Sequence, residues 1–88
     1  MFYVYILRSK TRPDQTYVGS TSDLRRRLAE HNAGKSIHTN KFKPWELTAY
    51  VALPDRILAE TFERYLKSGS GRAFAKRHLR SRDARYGQ

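Results

Sequence analysis

Cysteine is absent from this chain of 88 residues. That excludes a disulfide framework and any thiolate metal site, and it suits a reducing compartment. No apolar run approaches the ~18 residues of a membrane span, and the start at Met1-Phe2-Tyr3 lacks the basic n-region of a secretory signal. These absences predict a cytoplasmic protein. Acidic residues are few: eight Asp and Glu face eighteen Lys and Arg, for a formal charge of +10. His31, His38 and His78 lack paired metal-ligand spacing, which argues against zinc. Gly69-Ser70-Gly71-Arg72 has neither the spacing of a phosphate loop nor a strand before it, and no nucleophile elbow is present. There are no internal repeats.

What remains is a short, basic chain long enough for one domain. Such a domain buries only ~60–65% of its unfolded surface, so one modest core is expected. We place the domain at residues 1–80 and read 81–88 as a basic, frayed tail. A charge of +10 on so small a body makes polyanions the natural partners, nucleic acid first.

Phe2-Tyr3-Val4-Tyr5-Ile6-Leu7 reads as a strand, with Phe2, Val4 and Ile6 on a core face and Tyr3, Tyr5 and Leu7 bordering a cleft. Pro13-Asp14 suits the centre of a type I turn, and Thr16 to Ser20 forms the return strand. Even-sum pairing places Tyr5, Tyr17 and Gly19 on one face, where Gly19 leaves room for a ligand or marks a bulge. Thr21 or Ser22 is expected to cap a helix with Asp23 in its first turn. On that helix Leu24, Leu28 and His31 share a side with Arg27 beside them, while Arg25 and Arg26 point to solvent. His31 is then either a satisfied core residue or part of a site. Asn32-Ala33-Gly34 closes the helix.

Lys35 to Pro44 is a polar, basic loop whose lysines either track a phosphate backbone or are solvated. Trp45 to Val51 is a third strand, with Trp45, Leu47, Ala49 and Val51 on one face. A second helix runs from Pro54-Asp55 to about Ser68 on a stripe of Leu58, Ala59, Phe62, Tyr65 and Leu66. Its Glu60 points to water and its Glu63 lies on the flank. Glu63 is either a site carboxylate or an i,i+4 partner of Lys67. Gly69-Ser70-Gly71 reads as a break before a last helix, Arg72 to Arg80, with Phe74, Ala75 and Leu79 inward. The fold class is α+β, a three-stranded antiparallel sheet flanked by helices in the order β-β-α-β-α-α.

Tyr, Arg, His and one Glu can hydrolyse a phosphodiester if a divalent ion joins the carboxylate to the phosphate while Arg stabilises developing charge. A phenol of unperturbed pKa ~10 needs cationic neighbours to act as a base. Tyr3-Val4-Tyr5, then Tyr17-Val18-Gly19, then Arg27, His31 and Glu63 resemble the GIY-YIG nuclease family, closest to its small stand-alone members. Glu63-Arg64-Tyr65-Leu66-Lys67 and Gly71-Arg72 are similar to those members too. Tyr3 departs from the glycine of the motif name.

The resemblance implies a metal-dependent endonuclease acting on DNA, including structured or damaged DNA. Tyr5 would be the general base, and Tyr17 would orient water or phosphate. Arg27 would stabilise the phosphorane-like charge, and His31 would contact phosphate or relay a proton. Glu63 would be the sole protein ligand of one Mg²⁺ or Mn²⁺. Lys35, Lys41, Lys43, Lys67 and Arg72 are the expected nucleic-acid contacts, with a protein partner supplying specificity. The alternative is a nucleic-acid-binding module with weak or no turnover.

Overall fold

The structure, a computed structural model, describes residues 1–79. The expected 80/81 boundary, the tail and Arg80 lie outside the described residues. The elements are β1 (Phe2–Ser9), β2 (Thr16–Thr21), α1 (Leu24–Asn32), a 3₁₀ turn (Asn40–Phe42), β3 (Trp45–Leu53), α2 (Arg56–Leu66) and α3 (Gly69–His78). The sheet is antiparallel in the order β2-β1-β3, as the α+β reading requires. The β1–β2 hairpin closes on Gln15 N–H donating to the Arg12 carbonyl at 2.8 Å, with Pro13-Asp14 between them.

The apolar residues divide into two clusters, not one. Val4 and Ile6 pack with Ala59, Leu66 and Ala75 under α2 and α3. Tyr5 and Leu7 pack with Trp45, Leu24, Leu28 and Phe42 under α1 and the α1–β3 connection. The second face of β1 is therefore a core and not a cleft border. A helix laid across an aromatic sheet face removes far more apolar area from water than a solvated cleft would.

Asp23 itself caps α1, its carboxylate accepting from Arg26 N–H at 3.0 Å, while the Thr21 hydroxyl accepts from Asp23 N–H. The expected cap at Thr21 or Ser22 is thus shifted to the residue whose side chain reaches the third helical N–H. At the other end, Lys35 N–H donates to the Glu30 carbonyl and Gly34 N–H to the His31 carbonyl, with Gly34 at φ 79°. This Schellman closure needs the left-handed glycine that the sequence supplies.

β3 departs from a single-face alternation. Its register slips between Ile6↔Ala49 and Leu7↔Leu47, so Thr48 is the extra residue. The Thr48 hydroxyl donates to the Ile6 carbonyl at 3.0 Å. Trp45 and Leu47 consequently share a face with Leu7, whereas Ala49 and Val51 share one with Ile6 and Val4.

Two helix readings also change. Leu58, Tyr65 and Phe74 are 47%, 41% and 38% exposed, so the inward stripe narrows to Ala59, Phe62 and Leu66 on α2 and Ala75 on α3, with Leu79 at the α3 C-cap packed against the same core as expected. Gly69-Ser70-Gly71 is the first turn of α3, capped by the Ser68 hydroxyl, which accepts from Gly71 N–H at 3.2 Å. Gly71 is buried, and a Cβ there would overlap the Tyr65 carbonyl oxygen. Glycine serves close helix crossing here, which outweighs its poor helix propensity.

Candidate active site

Tyr5 pairs with Gly19 and Leu7 with Tyr17, so the two phenols and the glycine share the face that α1 covers. A Cβ on Gly19 would stand 2.5 Å from the Tyr5 hydroxyl and 3.0 Å from the Tyr17 ring. The space expected there for a ligand is filled by the Tyr5 phenol. Leu24 and Leu28 seat α1 on this face, which turns Arg27 and His31 toward the phenols.

His31 is fully buried at 0% exposure. Its Nε2 lies 2.9 Å from the Tyr5 hydroxyl and its Nδ1 2.7 Å from the Thr39 hydroxyl. The Thr39 carbonyl accepts from Trp45 Nε1 at 2.8 Å, and the Asn32 side-chain amide brackets the Trp45 backbone. The α1–β3 connection is thus a scaffold that fixes the imidazole, not only an open basic loop. The Tyr17 ring centroid is 5.1 Å from that of His31 and 6.4 Å from that of Tyr5. Both ring nitrogens of His31 are thus engaged, by Tyr5 and Thr39, and none of its surface is exposed to solvent.

Burial pushes the Tyr5 phenol up to about 12, more than the neighbouring Arg27 pulls it down. The lowered phenol expected from cationic neighbours is therefore reversed in the protein alone, because loss of hydration penalises the phenolate more than one cation stabilises it. Burial, then the Arg27 charge, holds His31 below its ordinary value. Both groups are neutral near pH 7. The assignment consistent with this has Tyr5 O–H donating to Nε2 and Nδ1–H donating to the Thr39 hydroxyl. Arg27 Nη1 donates to Glu30 Oε1 at 2.9 Å, and Glu30 raises the guanidinium pKa further. Arg25 and Arg26 are exposed, as the helical spacing predicts.

Glu63 comes from the other side of the sheet. α2 packs on the Val4 and Ile6 face, and its Glu63 meets the edge strand β2 at Ser20, which pairs with Val4 and so shares that face. The Ser20 hydroxyl donates to Glu63 Oε1 at 2.7 Å, and Lys67 Nζ donates to Oε2 at 2.8 Å. The Lys67 ammonium also stands 6.0 Å from the Tyr17 ring centroid, linking Glu63 to the phenol face.

The chain has known relatives. The model of the GIY-YIG catalytic domain matches residues 1–84. This chain belongs to the GIY-YIG family. It is 41% identical over 92 aligned positions to the structure-specific endonuclease subunit SLX1 of Candida dubliniensis, covering 96% of this chain and 30% of that protein. For the SLX1 subunit of Malassezia globosa the identity is 37%, covering 91% of this chain and 18% of that one. The chain thus spans less than a third of the curated relatives it matches. The solution NMR structure of a UPF0213 protein from Bacillus halodurans superposes with a TM-score of 0.52 at 32% identity, covering 88% and 84% of the two chains.

In this GIY-YIG domain, Tyr3 packs edge-on against Tyr50 of β3 at 5.9 Å. β3 flanks β1 on the side away from β2, so the departure from glycine leaves Tyr5, Gly19 and Tyr17 undisturbed. A divalent ion fits Glu63 in charge and donor type. The place beside Oε2 already suits a cation, since an ammonium stands there. No group of three or more His, Cys, Asp or Glu converges among the described residues. An ion held by Glu63 would therefore take its other oxygens from water and phosphate, the habit of Mg²⁺.

The expected nucleic-acid contacts separate. Lys67 touches Glu63, and Arg72 lines a cleft with Lys67 and Tyr17. Lys35, Lys41 and Lys43 form an exposed group on the α1–β3 connection, where Lys43 donates to Asn40 and Lys41 lies over the Phe42 ring. Ser20 and Thr39 escaped the sequence analysis. Ser20 carries a weak signal, since it follows Gly19 and alternates to the α2 face; Thr39 carries none, because only the tertiary fold brings it to His31.

Proposed function

We propose that this GIY-YIG domain is a metal-dependent endonuclease that hydrolyses phosphodiester bonds in DNA, on branched or otherwise irregular structures. The observation that supports the reading is the gathering of Tyr5, Tyr17, Arg27 and His31 on one sheet face, with Glu63 held at Ser20 of the edge strand β2 and linked through Lys67 to the Tyr17 ring. The endonuclease names of its relatives support it, and the word subunit in those names supports a protein partner for substrate choice.

A Mg²⁺ or Mn²⁺ ion on Glu63, once bound, would supply Lewis acidity at the phosphate. Every other task falls to the chain. Arg27 faces the phenols as a fixed cation for the charge that develops on the phosphoryl oxygens. Tyr5 is only 1% exposed, so bulk solvent does not reach it, and substrate binding would have to open this face for the attacking water to meet the phenol. With the phenol near 12, a standing phenolate is scarce at neutral pH. Tyr5 instead takes the water proton as its own hydroxyl proton moves to His31 Nε2, so the pair acts as one base. Thr39 holds the imidazole in the accepting tautomer.

The test is Mg²⁺-dependent cleavage of branched DNA by the wild-type protein and by Glu63→Ala. The variant is expected to fold and bind DNA while losing cleavage by roughly 10³-fold or more, since a metal supplies several kcal/mol of transition-state stabilisation. Wild-type protein that cuts no branched or linear DNA in Mg²⁺ or Mn²⁺ contradicts the reading. One observation favours a second reading, a binding module without turnover: both Glu63 oxygens are already engaged, by Ser20 and Lys67. That reading predicts salt-sensitive binding unchanged by Glu63→Ala, with no cleavage by either protein.

A further inference from the structure

Beside the Glu63 site lies a second concavity, whose lining combines Tyr17, Lys67 and Arg72 with residues to which the reaction gives no task. It is a cleft of about 430 Å³ between β2 and the α2–α3 junction. The half-buried Tyr17 and Val18 contribute its accessible apolar surface, the buried Ile6, Leu66 and Ala75 form its floor, and Lys67 and Arg72 contribute two cations. Asp14 and Gln15, from the β1–β2 turn, add a carboxylate and an amide. Tyr17 and Lys67 belong to both places, so the cleft is continuous with the site.

These features have different chemistries, and together they define a ligand. The apolar lining suits a flat ring removed from water, and the volume suits a single small molecule or residue. The two cations suit a phosphate. The carboxylate and amide suit the polar edge of a base, the carboxylate accepting from an exocyclic amine. A base inside a duplex presents no open face to such a cleft, whereas an unstacked base does.

We propose that this cleft is a subsite for one unpaired nucleotide neighbouring the scissile phosphate, its base over the apolar lining and its phosphate at Lys67 and Arg72. The proposal rests on the endonuclease reading for the word scissile; the nucleotide site itself stands on the cleft alone. It gives the domain its own means of favouring branched DNA, because only a junction or flap offers an unpaired base beside the cut. Lys67 joins the two places, since the ammonium that bonds Glu63 also borders the cleft.

The test uses the full chain with Glu63→Ala as background, so that turnover plays no part. dAMP and 2-deoxyribose 5-phosphate are titrated separately and amide NMR shifts are followed. dAMP is expected to bind at least tenfold more tightly, with shifts concentrated at Thr16 to Val18 and Leu66 to Lys67. Thr16→Tyr, a strand-compatible side chain that fills the cleft, should erase the difference between the two probes. Arg72→Gln should weaken both probes in parallel, and thermal unfolding checks that each variant is folded. Equal affinity for the two probes, or shifts centred elsewhere, would overturn the subsite. So would a preference for dAMP that survives in folded Thr16→Tyr.

The cleavage arm uses wild-type protein on a flap carrying either a base or an abasic residue next to the cut. The base-bearing flap should be cut several-fold faster. Base-selective dAMP binding with no cleavage of any DNA would defeat the endonuclease reading and leave the subsite intact. Cleavage without base-selective binding would do the reverse.

Discussion

Tyr5, His31 and Thr39 form a hydrogen-bonded chain whose first two members sit in a core cluster or deeper, and their burial governs how they titrate. Tyr5→Phe keeps the ring and its packing but leaves His31 Nε2 unpartnered. A stability loss of about 1–3 kcal/mol is expected by thermal or urea unfolding, together with loss of cleavage. The two pKa shifts act in opposite pH windows. His31 is lowered in the fold, so its contribution to stability is present above its ordinary 6.5 and is lost as pH falls through the folded value. Tyr5 is raised, so its contribution is present below 10.0 and is lost as pH rises through about 12. Melting temperature should therefore fall on both sides of a neutral plateau, and His31→Gln should flatten the His31 part of the acid side. In cleavage the paired base predicts a rate that drops in acid as His31 protonates and is level near neutrality. A phenolate base acting alone would instead give a rate climbing tenfold per pH unit well above 7.

The order β-β-α-β-α-α and the face of α1 bearing Arg27 and His31 were legible in local pattern, because alternation, helical spacing and the Gly34 closure are encoded within a few residues. What local pattern could not carry is what the third dimension decides. The Thr48 bulge is set by pairing with β1, forty residues earlier in the chain. The Gly69-Ser70-Gly71 turn reads as a break because glycine disfavours helix, yet close crossing over the end of α2 requires it. Gly71→Ala should cost about 1–3 kcal/mol and displace α3 from α2, measured by unfolding and by loss of amide protection in α3. Gly19→Ala tests the hairpin in the same way, since its Cβ would press on the Tyr5 hydroxyl. Its cost should be less than additive with Tyr5→Phe, which removes the nearest atom.

The molecule as a whole is a small cation, +10 over 88 residues, whose curated relatives are more than three times its length. In the proposed function, charge would bring DNA to it, while geometry around Glu63 would decide what happens there. If Lys35, Lys41, Lys43, Lys67 and Arg72 each neutralise one phosphate, log Kobs for duplex DNA should fall with log salt at a slope of about −4.5. Removing the three loop lysines should reduce that slope by about 2.7 without altering the metal dependence of cleavage. The proposed role of Glu63, held by α2 against Ser20 of the edge strand β2, is to complete a hydrolytic site begun by the β1–β2 hairpin and α1. Cleavage of a branched DNA by wild-type and Glu63→Ala protein across a Mg²⁺ titration tests it most directly. Metal-dependent cutting by the wild type and none by the variant, at equal DNA affinity, is the expected result. Equal cutting by both proteins would contradict it.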